Sequence, residues 1–146
     1  YEKPSFMDKT YAGIEWQCVE FARRWLIRNK GLTFDSVDVA ADLWAKLDHL
    51  VDVKTKEPRA LSRRVNGADS LPKFGDLLVY GREYLETGHV AVILRVDRKR
   101  QLVKVGEENF ANDRWTADHA RAIPFTRHGG SYWILDRYLL GWLSYD

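Results

Sequence analysis

The run His89-Val90-Ala91-Val92-Ile93-Leu94-Arg95-Val96 narrows the fold more than any other segment of the chain. It is rich in β-branched residues and apolar on both faces, as a central strand would be. Its neighbours also read as strands. Phe74-Gly75-Asp76 is a turn that launches Leu77 to Tyr80; Asp97 to Gln101 make a charged turn, and Leu102 to Val105 return. Later strands are expected at Tyr132 to Leu135 and Leu140 to Tyr145. Upstream the pattern is helical. Between Trp16 and Asn29, Val19, Ala22 and Leu26, then Phe21 and Trp25, recur at helical spacing, and Gly31 follows as a C-cap. A second helix is expected from Asp38 to Leu50, with Ala41, Leu43, Trp44, Leu47 and Leu50 facing inward. Val51 to Leu71, polar and carrying Pro58 and Asn66-Gly67, reads as a long loop. Helices first and an antiparallel meander after them make an α+β fold.

Residues 1–146 are expected to form one domain, long enough to bury a single core. With 45% hydrophobic and 13% aromatic residues, the chain is far from the composition of disorder. Its 23 basic and 21 acidic residues nearly cancel, so no nucleic-acid partner is expected. Arg63-Arg64 and Arg98-Lys99-Arg100 sit in polar stretches and read as solvated surface, with a weak anionic docking patch as the alternative. The longest apolar stretches are strand-sized, which gives no reason to expect a membrane partner. A single cysteine excludes an internal disulfide framework, and the four histidines show no metal-ligand spacing. No metal and no cofactor are expected. One cysteine fits a reducing compartment, which favours the cytoplasm. The chain begins at Tyr1 rather than Met, so a secreted or periplasmic location after removal of an N-terminal segment stays open. Oligomeric state leaves no mark in the sequence.

The chemistry centres on Cys18. A thiolate is the nucleophile in cysteine catalysis, and it forms readily at a helix N-terminus, where unpaired N–H groups carry partial positive charge. The same groups can stabilise the oxyanion of a tetrahedral intermediate. The plainer reading of Cys18 is a small buried hydrophobe. His89 follows Thr87-Gly88 at the mouth of the most apolar strand, and the glycine beside it would leave room for a substrate. A satisfied core histidine is the competing reading. His49, placed in a helix, and His119 and His128, in polar stretches, read as surface residues. A base needs an orienting partner within hydrogen-bond reach. Alternation along Leu102 to Asn109 puts Val103, Val105 and Glu107 on one face and Lys104 and Glu108 on the other. A four-residue turn sets His89 opposite position 108, whereas an odd turn or a bulge sets it opposite 107; the valine face selects Glu107. The competing reading of Glu107 is a solvated carboxylate beyond the strand end.

Trp16-Gln17-Cys18-Val19-Glu20-Phe21-Ala22-Arg23-Arg24, then Thr87-Gly88-His89-Val90-Ala91-Val92-Ile93, then Glu107-Glu108-Asn109, then Gly141-Trp142 resemble the CHAP family, the cysteine, histidine-dependent amidohydrolases/peptidases. The wording is most similar to the amidase domains of glutathionylspermidine synthetase/amidase and trypanothione synthetase/amidase. The resemblance runs from about Tyr11 to the C-terminus. It implies a papain-like fold, with N-terminal helices packed on an antiparallel sheet, and a Cys18–His89–Glu107 triad. The implied reaction is hydrolysis, through a thioester acyl-enzyme, of the amide joining glutathione to a polyamine. It further implies that Gln17 lies beside the oxyanion hole and that Arg23 and Asn109 contact the substrate. Glu-Glu-Asn stands where that branch has Glu-Gln-Asn, which weakens the transfer of contacts around Glu108. The alternative within the family is a peptidoglycan amidase or endopeptidase. The expected partner is therefore a small-molecule or peptide amide.

Overall fold

Beyond residue 71 the chain carries short apolar, β-branched runs, and the computed structural model forms strands from them. It describes residues 4–7, 10–14, 17–35, 37, 39–84, 87–107 and 121–146. In chain order the elements are β1 (Pro4–Met7), β2 (Thr10–Ile14), α1 (Gln17–Lys30), β3 (Leu32–Thr33), α2 (Asp42–Lys46) and β4 (His49–Asp52). There follow β5 (Pro58–Ala60), β6 (Ser62–Val65), β7 (Leu77–Tyr80), β8 (His89–Asp97) and β9 (Leu102–Gly106). The last three are β10 (Arg121–His128), β11 (Ser131–Ile134) and β12 (Leu139–Ser144). Among the described residues, seven strands form one antiparallel sheet in the order β11-β10-β9-β8-β7-β12-β6, with smaller sheets of β1-β2 and β3-β4-β5. The architecture is α+β, and β8 is its middle strand.

Alternation on β8 splits the interior in two. Val90 and Val92 pack with Val19, Ala22 and Leu26 of α1. Ala91 and Ile93 belong to the second cluster, with Val103, Val105, Ile123 and Trp142. All four β8 residues are wholly buried, which is why the segment tolerates no polar alternation. The sheet also curls until its ends meet. Asn66 donates from Nδ2 to the Ile134 carbonyl at 3.0 Å and accepts the Ile134 N–H at 2.9 Å. Next to it, Gly67 N–H donates to Tyr132 O at 2.9 Å, and Tyr132 N–H to Ala68 O at 2.7 Å. The segment after β6 thus covers the outer edge of β11.

Helix α1 stops where the sequence predicts: Gly31 takes φ +65° and its N–H closes on Ile27 O at 3.2 Å. Other expectations need correction. The second helix spans five residues, not thirteen, because the chain turns extended at Leu47 and enters β4. Leu43, Leu47 and Leu50 are buried as expected, but Leu50 reaches the core from a strand. Residues 51–71 hold the end of β4 and all of β5 and β6 rather than a structureless loop. Strand β6 escaped notice because all four of its side chains are exposed, so it carries no alternation. Strand β10 was missed because of Pro124. That residue pairs with Leu102 of β9, and from Phe125 onward β10 pairs with β11 instead. The residue without an N–H stands where the strand changes partners. Arg63 is not merely solvated: its Nε donates to Trp44 O at 2.5 Å and its Nη2 to Leu47 O, at the end of α2.

Candidate active site

Helix α1 begins at Gln17, so Cys18 lies in the first turn, where backbone N–H groups have no partner inside the helix. Its side chain is 7% exposed and sits at the rim of the helix-side cluster. His89 opens β8 directly opposite Tyr80 of β7. Gly88 before it has φ +80°, and a Cβ there would lie 2.6 Å from Tyr80 O and 2.8 Å from Ala41 Cβ. The room beside the histidine is therefore taken by β7 and the start of α2, not left for a substrate, and Thr87 O accepts the Ala41 N–H at 3.0 Å. Glycine is required here by close packing and by a left-handed backbone.

Glu107 meets His89 by a different register from the one expected. The β8–β9 ladder carries a bulge between Ile93 and Arg95 and places Val92 opposite Gly106, so Glu107 follows opposite neither 89 nor its immediate neighbour. It reaches the ring on the diagonal, from the face that holds Val103 and Val105, and the valine alternation was the sounder guide. Glu107 Oε1 lies 2.6 Å from His89 Nε2. Cys18 stands close enough to the ring to act, with Glu107, on its pKa. Burial alone would lower the His89 pKa. The hydrogen bonds and charges of Cys18 and Glu107 outweigh it and raise the value to about 9. For Glu107 burial pushes upward, yet His89 and Arg121 hold its carboxyl below the usual carboxylate range.

Among the described residues, four further side chains join the site, none of them singled out from sequence. Arg121 grips both oxygens of Glu107, Nε to Oε2 at 2.6 Å and Nη2 to Oε1 at 3.1 Å. Its Nη1 lies 2.8 Å from Asp136 Oδ2, which also accepts the Tyr80 hydroxyl at 2.6 Å. Tyr84 stacks on the imidazole at 5.1 Å and 21°, and Tyr80 lies 5.3 Å from it at 55°. Burial, then the Asp136 partner, drives the Tyr80 pKa upward, so its hydroxyl keeps its proton as a donor. The one available signal was Tyr80, at the end of a strand correctly read as β7. Arg121 opens the unrecognised β10.

Of the six residues expected at the site, Cys18, His89 and Glu107 come together. Gln17 is the residue before the nucleophile in α1, and its side chain lies outside the described residues, as does all of Asn109. Arg23 is neither at the helix surface nor in an open cleft: it is 1% exposed, and its guanidinium lies 4.4 Å from the centroid of Phe34. His49 belongs to β4, not to a helix, and is half-buried beside Asp48 at 2.6 Å. No helix among the described residues is long and apolar enough to cross a membrane.

The family model of the CHAP domain matches residues 8–109. The chain is similar to the bifunctional glutathionylspermidine synthetase/amidase of Escherichia coli (strain K12), with 32% identity over 151 residues, 95% of this chain and 23% of that protein. It is similar to the trypanothione synthetase of Crithidia fasciculata, with 30% identity over 149 residues, 97% of this chain and 22% of that protein. The glutathionylspermidine synthase of the same organism is 34% identical over 143 residues, 90% of this chain and 19% of that protein. The chain thus spans less than a quarter of the length of the curated relatives it matches.

Proposed function

The chain belongs to the CHAP domain family, a family of amidohydrolases, and we propose that it hydrolyses a glutathione–polyamine amide of the glutathionylspermidine type through Cys18, His89 and Glu107. The observation that carries this reading is the 2.6 Å pair of His89 Nε2 with Glu107, beside a cysteine in the first turn of α1. In the reaction proposed, the Cys18 thiol proton passes to His89 Nδ1. The thiolate adds to the amide carbonyl carbon, and the oxyanion is held by the Cys18 backbone N–H with Gln17 beside it. The imidazolium gives its proton to the leaving amine nitrogen, the C–N bond breaks, and a thioester remains. Water attacks that thioester while His89 takes its proton, which releases the carboxylate and restores the thiol. Glu107 holds the ring throughout and stabilises its charge.

The reading takes residues 1–146 as one papain-like amidase domain that acts in the cytoplasm without a cofactor, on a small amide and on neither nucleic acid nor membrane. The choice of substrate is supported by a relative that is a glutathionylspermidine synthetase/amidase. Asn109 and Arg23 would face the glutathione part. For Arg23 this means that a substrate carboxylate would have to displace the packing on Phe34 to reach it. The test is release of free amine from glutathionylspermidine and, in parallel, from purified peptidoglycan. Release from the conjugate, lost in Cys18→Ala, is the result expected. Release from peptidoglycan alone would move the reading to a cell-wall hydrolase, and equal release by Cys18→Ala would remove the mechanism.

A further inference from the structure

Glu107 lies just beyond β9, where the ladder no longer constrains it. A carboxylate held by a single hydrogen bond turns freely about its last torsion. This one is gripped at both oxygens by Arg121, whose own strand is fixed by pairing of Arg121 with Val105. Arg121 is tethered in turn. Its Nη1 meets Asp136 at 2.8 Å and its Nη2 lies 3.3 Å from the Tyr80 oxygen, while the Tyr80 hydroxyl donates to the same Asp136. The tether therefore runs from β10 to the turn after β11 and back to β7, and it ends on the oxygen that bonds His89. We propose that Arg121 is a positioning residue for the reaction: it clamps the Glu107 carboxylate in the plane that faces His89 Nε2, so that the opposite ring nitrogen is presented to Cys18.

This rests on the triad reading above. A bidentate fork is what the task requires, because a lysine ammonium would supply charge without setting the plane. Among the described residues, the groups that face the imidazole are Cys18 from α1, Tyr80 from β7, Tyr84 from the turn after β7, and Glu107 after β9; Arg121 and Asp136 stand behind Glu107. Arg121 is 37% exposed along its side chain and belongs to neither apolar cluster.

The experiment is an NMR titration of the His89 ring in wild type, Arg121→Met and Arg121→Lys, with thermal melting of each. Arg121→Met is expected to erase the ring N–H resonance of the Glu107 bond and to slow amide hydrolysis roughly tenfold to a hundredfold, whereas loss of the guanidinium charge by itself would only raise the His89 midpoint. Arg121→Lys should fall between the two. A ring N–H resonance and a hydrolysis rate that both stay at wild-type values in a folded Arg121→Met protein overturn the inference. Should that variant not fold, a wild-type resonance and rate in Arg121→Lys overturn it equally. Failure of the triad itself would be visible without these variants, as iodoacetamide alkylation of Cys18 that does not change in His89→Ala.

Discussion

The two faces of β8 solve different problems with the same strand. On the helix side Val90 and Val92 meet α1 in a predominantly apolar layer. On the inner side of the curl Ala91 and Ile93 begin another apolar layer, but at its end the same face turns ionic with His89, Glu107 and Arg121. The apolar layers are held by volume, so any atom removed leaves a gap whose cost is paid in stability. The ionic end is held by mutual satisfaction: each buried charge has a counterpart, and removal of one alters the protonation of the next. Cys18 belongs to the first region by packing and to the second by chemistry, and that is where the contrast can be tested.

Cys18→Ala should separate the regions most sharply. Turnover is expected to fall on the order of 10⁴-fold or more, as when an acting nucleophile is lost, while the melting temperature barely moves because alanine keeps most of the packing. Leu26→Ala, in the middle of the helix-side layer, should do the reverse. A loss of about 3 kcal/mol by chemical denaturation is expected, with kcat of the folded fraction near wild type. Comparable losses of kcat in both variants would erase the distinction.

Glu107→Gln probes the ionic end alone. In the proposed thiolate–imidazolium pair His89 holds the proton taken from Cys18 until pH rises through about 9, against an ordinary value of 6.5, so kcat/KM is expected to fall on the alkaline side near 9. Removal of the carboxylate charge should bring that alkaline limb down toward 6.5. A limb that stays near 9 in a pH–rate profile would mean that Glu107 does not set it. The smallest effect belongs to the outer face of α1. Arg24 lies 2.5 Å from Glu20 at 38% exposure, and Arg24→Ala should cost about 0.3–0.5 kcal/mol or less, without a change in the pH profile.

The same division explains what could be read from sequence. Apolar layers announce themselves through period, and α1, β7, β8 and β9 were placed within a residue or two. Cys18, His89 and Glu107 were legible because each belongs to such an element or continues its alternation. Strand β6 was not, since its side chains are all exposed and only its backbone pairs with β12. The second helix was drawn too long because the spacing of Leu43, Leu47 and Leu50 suits a helix, although the last of them arrives from β4. Arg121 was invisible for a deeper reason. Its place beside Glu107 depends on a register across β10, and Pro124 disguised that strand.

The seam made by Asn66 bears on how the molecule behaves in company. An outer strand with unpaired N–H and C=O groups is a template on which a second chain can assemble. Along β11 those groups at Tyr132 and Ile134 are already answered by Asn66, Gly67 and Ala68. One amide side chain thus stands in for a missing neighbour, and on that side a crowded solution finds the sheet already closed to recruits.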